Sequence, residues 1–187
     1  MNVVIFGPPG AGKGTQAQNI VKKFKLHQVS TGDLLRNEIK IKSEIGREIK
    51  EIISKGDFAT DDVVNKLIKN IVFDPQKKDK LIFDGYPRSL SQAKNLDLLL
   101  DNSNQKIDFI FFLNVNKDTI IKRIEKRKIL EKRSDDDLST ILKRYDTYME
   151  TTRPVLEFYS KNPNFYEIDG TLEIDQITSK INDILKV

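Results

Sequence analysis

Nine residues near the start of the chain, Gly7-Pro8-Pro9-Gly10-Ala11-Gly12-Lys13-Gly14-Thr15, follow the apolar run Val3-Val4-Ile5-Phe6 and precede a helix-like stretch. Glycines at these positions let the backbone curl so that successive N–H groups face one anion, and the helix behind adds its positive end. Gly10, Ala11, Gly12, Lys13, Gly14 and Thr15 thus form a cradle for a triphosphate. Lys13 is expected to reach the β- and γ-phosphates and Thr15 to set a hydroxyl on Mg²⁺. The hydroxyl comes one residue later than in the general phosphate-loop pattern, because Gly14 occupies the usual place. A glycine-rich turn that binds nothing is the plain alternative. No Gly-x-Gly-x-x-Gly can be laid on these glycines, which argues against a dinucleotide site.

Asp84-Gly85-Tyr86-Pro87-Arg88 closes a second apolar run. An acid at a strand end beside the cradle is suited to hold Mg²⁺ through water; a simple Asp-Gly turn is the bland reading. Arg88 would overlie the same crevice and clamp a second phosphate with its two-pronged guanidinium. Thr31-Gly32-Asp33-Leu34-Leu35-Arg36 offers another helix start and another arginine, although Thr31 as a simple cap serves equally well.

The chain is lysine-rich, with eight arginines among its 32 basic residues. Arg36, Arg88, Arg123, Arg127, Arg133 and Arg144 all fall beside expected crevice elements, whereas each alone would pass as a surface residue. Such a concentration suits two polyphosphate chains whose mutual repulsion must be neutralised. His27 is the single histidine and cysteine is absent, so no Ser/His/Asp set or thiolate metal site can be assembled. A hydroxyl acceptor would need a general base, whereas a phosphate acceptor is already an anionic nucleophile. His27 is expected at the surface or a strand edge.

These groups need a scaffold. Strands are expected at Val3 to Phe6, Gln28-Val29, Lys80 to Asp84, Ile107 to Leu113 and Phe165 to Ile168, with helix-period segments between them. That alternation implies right-handed crossovers and an α/β three-layer fold on a central five-stranded parallel sheet, with the ligand at the carboxyl ends of the strands. A first helix is expected from Thr15 to Phe24, and further helices at Leu34 to Ile41, Glu44 to Ser54 and Asp61 to Val72, the last capped by Thr60. Residues 30–59 read as a helical lobe inserted beside the site. A charged, poorly periodic interruption spans 127–137, ending in Ser134 and three aspartates that would cap a long helix. Its apolar stripe is Leu138, Ile141, Leu142, Tyr145, Met149 and Leu156, and Pro154 should kink or end it. The remainder, 1–29, 60–126 and 138–187, forms the core of one domain.

With 187 residues, 38% hydrophobic and 32% charged, the composition suits one α/β domain. The net charge of +4 is spread as lysine among acids along helix-like segments, so a solvated surface is expected rather than a nucleic-acid face. Without a signal-like segment or an eighteen-residue apolar run, neither export nor membrane insertion is expected, and the cytoplasm is the expected compartment.

Together these residues resemble the nucleoside monophosphate kinases, and within them the adenylate kinase branch. The likeness covers essentially the whole chain: the cradle with its additional Gly14 and Gln16, Ser30 to Arg36, Asp84 to Arg88, Gln92, Arg133 with two following acids, and Arg144 match in order and spacing. The resemblance implies Mg·ATP + AMP ⇌ 2 ADP, catalysed by a monomer with 30–59 as the AMP-binding lobe and 127–137 as a short lid without a zinc site. It assigns the ATP phosphates to Lys13 and the loop amides, with Arg123 and Arg127 reaching ATP from the lid base. Arg36 and Arg88 take the AMP phosphate, and Arg133 and Arg144 bridge donor and acceptor. Asp84, with Asp33 and Thr15, orients hydrated Mg²⁺. Thr31, Asp57, Phe58, Ala59, Gly85, Tyr86, Pro87 and Gln92 surround AMP, while Gly170 and Leu172 lie in the loop against the ATP adenine. Thr31 and Gln92 favour AMP, whereas Ala and Asn there would resemble a UMP/CMP kinase. Two rivals remain: that other monophosphate kinase, and a non-catalytic nucleotide switch, for which Asn116-Lys117-Asp118 is a poor guanine-reading match.

Overall fold

The computed structural model describes residues 1–55, 57, 59–131 and 138–186, of which 127–131 and 138 are described by backbone alone. The five strands are β1 (Val3–Phe6), β2 (His27–Ser30), β3 (Leu81–Asp84), β4 (Phe109–Asn114) and β5 (Phe165–Asp169). All pair in parallel, in the order β2-β3-β1-β4-β5. β1 therefore sits at the centre with β3 and β4 beside it, and the chain changes direction across the sheet there. In open α/β sheets that point opens a crevice at the carboxyl ends of the strands.

Strands buried on both faces read as continuous apolar runs, and β1 is the clearest case. Successive side chains point to opposite faces. Val4 and Phe6 join one core with Val29, Phe83 and Ile110, while Val3 and Ile5 join another with Ile82, Phe111 and Leu113. Helices α4 (Asp61–Val72) and α5 (Leu90–Asn102) cover the first face through Ile68, Leu96 and Leu100. Helices α1 (Lys13–Phe24), α6 (Lys117–Glu131) and α8 (Ile174–Leu185) cover the second through Ile20, Ile120, Ile124, Ile177 and Ile181. Full burial of side chains such as Phe83 and Phe111 contributes about 1.5–3 kcal/mol each, which makes the central strands a rigid platform.

Helix α7 (Leu138–Tyr159) belongs to both layers: Ile141 packs into the second core, Val155 and Tyr159 into the first. Its middle therefore passes across the crevice. The buried line is Ile141, Tyr148, Thr152, Val155 and Tyr159, whereas Met149, expected in the stripe, is 39% exposed. Pro154 does not end the helix, which continues to Tyr159. Pro154 and Glu150 both lie on the exposed side, where water can take the place of the missing intrahelical bond.

Other boundaries also move. α1 begins at Lys13, two residues before the expected start, because Gly12 itself takes the left-handed N-cap conformation. β2 runs His27–Ser30, and Ile107 precedes β4 rather than joining it. Between β2 and β3 lie α2 (Thr31–Lys40), α3 (Glu44–Ser54), α4 and a 3₁₀ turn at Pro75–Lys77. Thr60 is the N-cap of α4 as expected, although its side chain makes no capping bond. Ser30, rather than Thr31, caps α2, accepting from the Asp33 amide at 3.3 Å. α6 continues through the expected lid start at 127 as far as Glu131. The expected cap at Ser134 to Asp137 lies outside the described residues.

Candidate active site

Helices α2, α3 and α5 all carry serine N-caps, Ser30, Ser43 and Ser89. Helix α1 has no side-chain cap and no acid in its first turn. Its first N–H groups point toward the cradle, an arrangement in which an anion serves as the cap. Gly10 holds the loop down at a φ of 83°, and a Cβ there would lie 2.9 Å from two side-chain carbons of Ile124. Only glycine meets both constraints. Lys13 lies across the loop, its Nζ donating to the carbonyls of Gly7 at 2.7 Å and Pro8 at 3.0 Å.

Lys13 shares a cleft with Arg88, Arg144, Tyr148, Thr152 and Pro87. Arg88 is pinned at three points. Its backbone N–H donates to Gln92 Oε1 at 2.7 Å, its carbonyl accepts from Thr152 Oγ1 at 3.1 Å, and its Nε donates to the Gly85 carbonyl at 2.8 Å. Thr31 Oγ1 donates to the same Gly85 carbonyl, also at 2.8 Å, which ties the start of α2 to the turn after β3. Burial lowers the Arg88 guanidinium to about 10, and the charges of Arg144 and Arg36 push it the same way. A cation disfavoured by burial and by its own neighbours gains most from an anion placed beside it.

Gln92 is buried, and its amide is used within the protein: Nε2 donates to Asp61 Oδ1 at 2.7 Å. Ser89 Oγ donates to the other Asp61 oxygen at 2.8 Å. The side chain assigned to the acceptor base thus serves here as a strut beneath Arg88. Tyr86 is fully buried, joined to Pro87 by a cis peptide bond, and donates to Asn65 Oδ1 at 2.8 Å. Burial raises its phenol to about 12.

On the other flank, Arg123 donates to the Ala11 carbonyl and to the Leu172 carbonyl, each at 3.3 Å. One guanidinium therefore spans the cradle and the loop after β5. Gly170 closes on β4, its N–H donating to the Asn114 carbonyl at 2.8 Å. Gln16, buried in α1, donates to the Ile174 carbonyl at 3.1 Å and accepts from Thr178 Oγ1 at 2.8 Å. These bonds hold the β5–α8 loop against the root of the cradle.

Asp84 stands level with Ser30 and Ile5 across the sheet. Its carboxylate accepts from the Gln28 amide at 3.1 Å and faces the first turn of α1, within 3.6 Å of where a Cβ on Gly14 would be. One carboxylate with a neutral partner, close to the exposed Thr15, fits a hydrated Mg²⁺, an ion that keeps several waters and takes few protein ligands. Among the described residues no group of three or more metal-ligating side chains occurs. Asp33 instead engages Arg36, whose Nη2 donates to Asp33 Oδ1 at 2.6 Å.

The structure thus brings Lys13, Gly85, Pro87, Arg88 and Arg144 together in one cleft, with Arg123, Gly170 and Leu172 grouped beside the cradle. Arg36 and Asp33 stand outside the cleft lining. Asp57 is paired with Lys143 at 2.7 Å, and Ala59 is buried. Phe58, Arg133 and the Arg127 side chain lie outside the described residues. His27 begins the edge strand β2, at the opposite end of the strand from Ser30 and Asp84. Sequence reasoning missed Tyr148, Thr152, Gln28 and Asp61. The first two were within reach, since Arg144, Tyr148 and Thr152 follow one another at intervals of four and so share a helix face.

Comparison with known proteins agrees with this geometry. The family model described as Adenylate kinase matches residues 5–164. The chain is 51% identical to the adenylate kinase of Pelagibacter ubique (strain HTCC1062) over 213 aligned positions, covering all of both proteins. It is 38% identical to that of Mycoplasma capricolum subsp. capricolum over 215 positions, again in full. Against the adenylate kinase of a Nocardioides species it is 36% identical over 187 positions, covering all of this chain and 98% of the relative.

Proposed function

The chain belongs to the adenylate kinase family, and on that premise we propose how its residues divide the reversible transfer of a phosphoryl group from ATP to AMP. The donor triphosphate lies on the uncapped start of α1, with Lys13 turning from the loop carbonyls to the β- and γ-phosphates. Arg123 and Arg127 hold its other side, and Gly170 and Leu172 border the adenine. The AMP phosphate rests on Arg88 and Arg36, within a pocket that includes Thr31, Asp57, Phe58, Ala59, Gly85, Tyr86, Pro87 and Gln92. Arg144 and Arg133 lie between the two phosphates.

The observation that carries this reading is the meeting of Lys13, Arg88 and Arg144 in one cleft. Two polyanions approach only if their repulsion is offset, and fixed guanidinium groups offset it without reorganising during transfer. The acceptor is itself an anionic oxygen nucleophile, so alignment takes the place of a general base. Asp84 with Asp33 and Thr15 would hold hydrated Mg²⁺ through water, where it adds charge neutralisation at the donor phosphates. The two lobes, 30–59 and 127–137, close over the nucleotides.

The enzyme acts as a monomer in the cytoplasm. No helix among the described residues is long and apolar enough to cross a membrane. The test is an acceptor panel: ATP with each nucleoside monophosphate in turn, following the diphosphates formed. AMP should be converted far faster than CMP or UMP. Strong CMP turnover with little AMP turnover would reassign the chain's acceptor.

A further inference from the structure

Buried polar groups normally find partners, and each exception calls for a reason. Among the described residues one buried side-chain polar atom lacks a hydrogen-bond partner, the Tyr148 hydroxyl. The other buried tyrosines are satisfied: Tyr86 donates to Asn65 and Tyr159 donates to Asp97 at 3.0 Å. Tyr148 is 7% exposed and lines the cleft with Lys13, Arg88 and Arg144. The Gly7 backbone amide faces its oxygen without reaching hydrogen-bond geometry. Burial moves the phenol above its usual range, so the group stays a neutral O–H donor wherever the enzyme works.

A donor among cations, with an amide turned toward its oxygen, is matched by an acceptor that carries negative charge. Helix packing fixes the direction. Tyr148 lies one turn from Arg144 and one turn from Thr152, whose hydroxyl holds the Arg88 carbonyl. We propose that Tyr148 is a further substrate contact, its phenolic O–H donating to a phosphate oxygen of the acceptor nucleotide beside Arg88. The proposal rests on the assignment of Arg88 to the AMP phosphate.

The test compares wild type with Tyr148→Phe, which removes one oxygen and keeps the ring. Hydrogen bonds to charged groups are worth more than neutral ones, so kcat/KM for AMP should fall about tenfold. At saturating AMP, kcat/KM for ATP should change much less. The melting temperature of the ligand-free protein should hold or rise, because the phenylalanine leaves no unmet hydroxyl. A lowered melting temperature, an equal loss toward both substrates, or AMP kinetics matching wild type would each overturn the proposal. The underlying assignment is read separately: Arg88→Met with unchanged AMP kinetics would remove the acceptor phosphate from Arg88, whatever Tyr148→Phe does.

Discussion

Arg36 donates to Asp33 across 2.6 Å, so the guanidinium assigned to the acceptor phosphate and a carboxylate assigned to Mg²⁺ are joined to each other. The pair lies within the first turns of α2, three residues apart, where helix geometry brings such groups together. Arg36 must leave Asp33, or share itself, to serve a phosphate.

The first prediction follows from that competition. Both side chains are well exposed, at 41% and 68%, so solvent limits the pair to about 0.2–1 kcal/mol. Asp33→Asn should therefore tighten AMP binding about 1.5- to 5-fold when measured by calorimetry without Mg²⁺ or ATP. Weaker binding would mean that Asp33 holds Arg36 in its working posture.

Lys13 bridges two carbonyls of the cradle and is assigned to the phosphates that part company. Lys13→Ala should lower kcat by roughly 10²-fold or more, as expected for loss of a charge-stabilising donor. A coupled assay at saturating nucleotide reads this directly, and a near-normal kcat would contradict the role.

Arg88 offers a pH signature. Its pKa of about 10 lies below the usual 12.5 because burial, Arg144 and Arg36 all disfavour the cation. A phosphate beside it favours the cation and raises the value again. The lowered value means that any loss of the Arg88 charge in the free protein sets in on the alkaline side, near pH 10 and above, and AMP binding there should be accompanied by proton uptake. At pH 8 Arg88 is already charged and contributes no uptake. Calorimetry in buffers of different ionisation enthalpy measures the difference, and an absence of uptake at pH 10 would put the phosphate elsewhere.

Thr152 holds the Arg88 carbonyl from a position 64 residues away. Thr152→Val keeps the shape and removes the hydroxyl that donates to the Arg88 carbonyl, a loss of about 0.5–1.5 kcal/mol. Stability should drop accordingly in urea, and KM for AMP should rise more than KM for ATP. Thr152→Ser restores the hydroxyl and should recover the AMP kinetics, which a purely volumetric effect would not allow.

The cradle, the five strands and the helices after β2 were legible in the chain because their causes are local. Positive φ at Gly10 and Gly12, the full burial of Val3 to Ile5, and the spacing of Ala17 and Ile20 act over a few residues. The early start of α1 and the continuation of α7 through Pro154 were less legible. Each depends on what surrounds the boundary: a left-handed glycine in one case, an exposed helix face in the other.

The sequence by itself determined a phosphate-cradle motif at the carboxyl end of a parallel strand, and pointed to arginines rather than a base for the chemistry. Backbone preference and residue type suffice for that. Tertiary structure alone decided how those arginines are held. Arg88 is fixed by Gln92, Gly85 and Thr152, Arg123 spans Ala11 and Leu172, and Tyr148 is brought into the cleft with its hydroxyl unmet. Several of these contacts join positions dozens of residues apart. The placement of Thr152 and Tyr148 comes from α7 crossing between the two cores, and that of Arg123 from α6 packing beside the cradle, neither of which a local pattern in the sequence encodes.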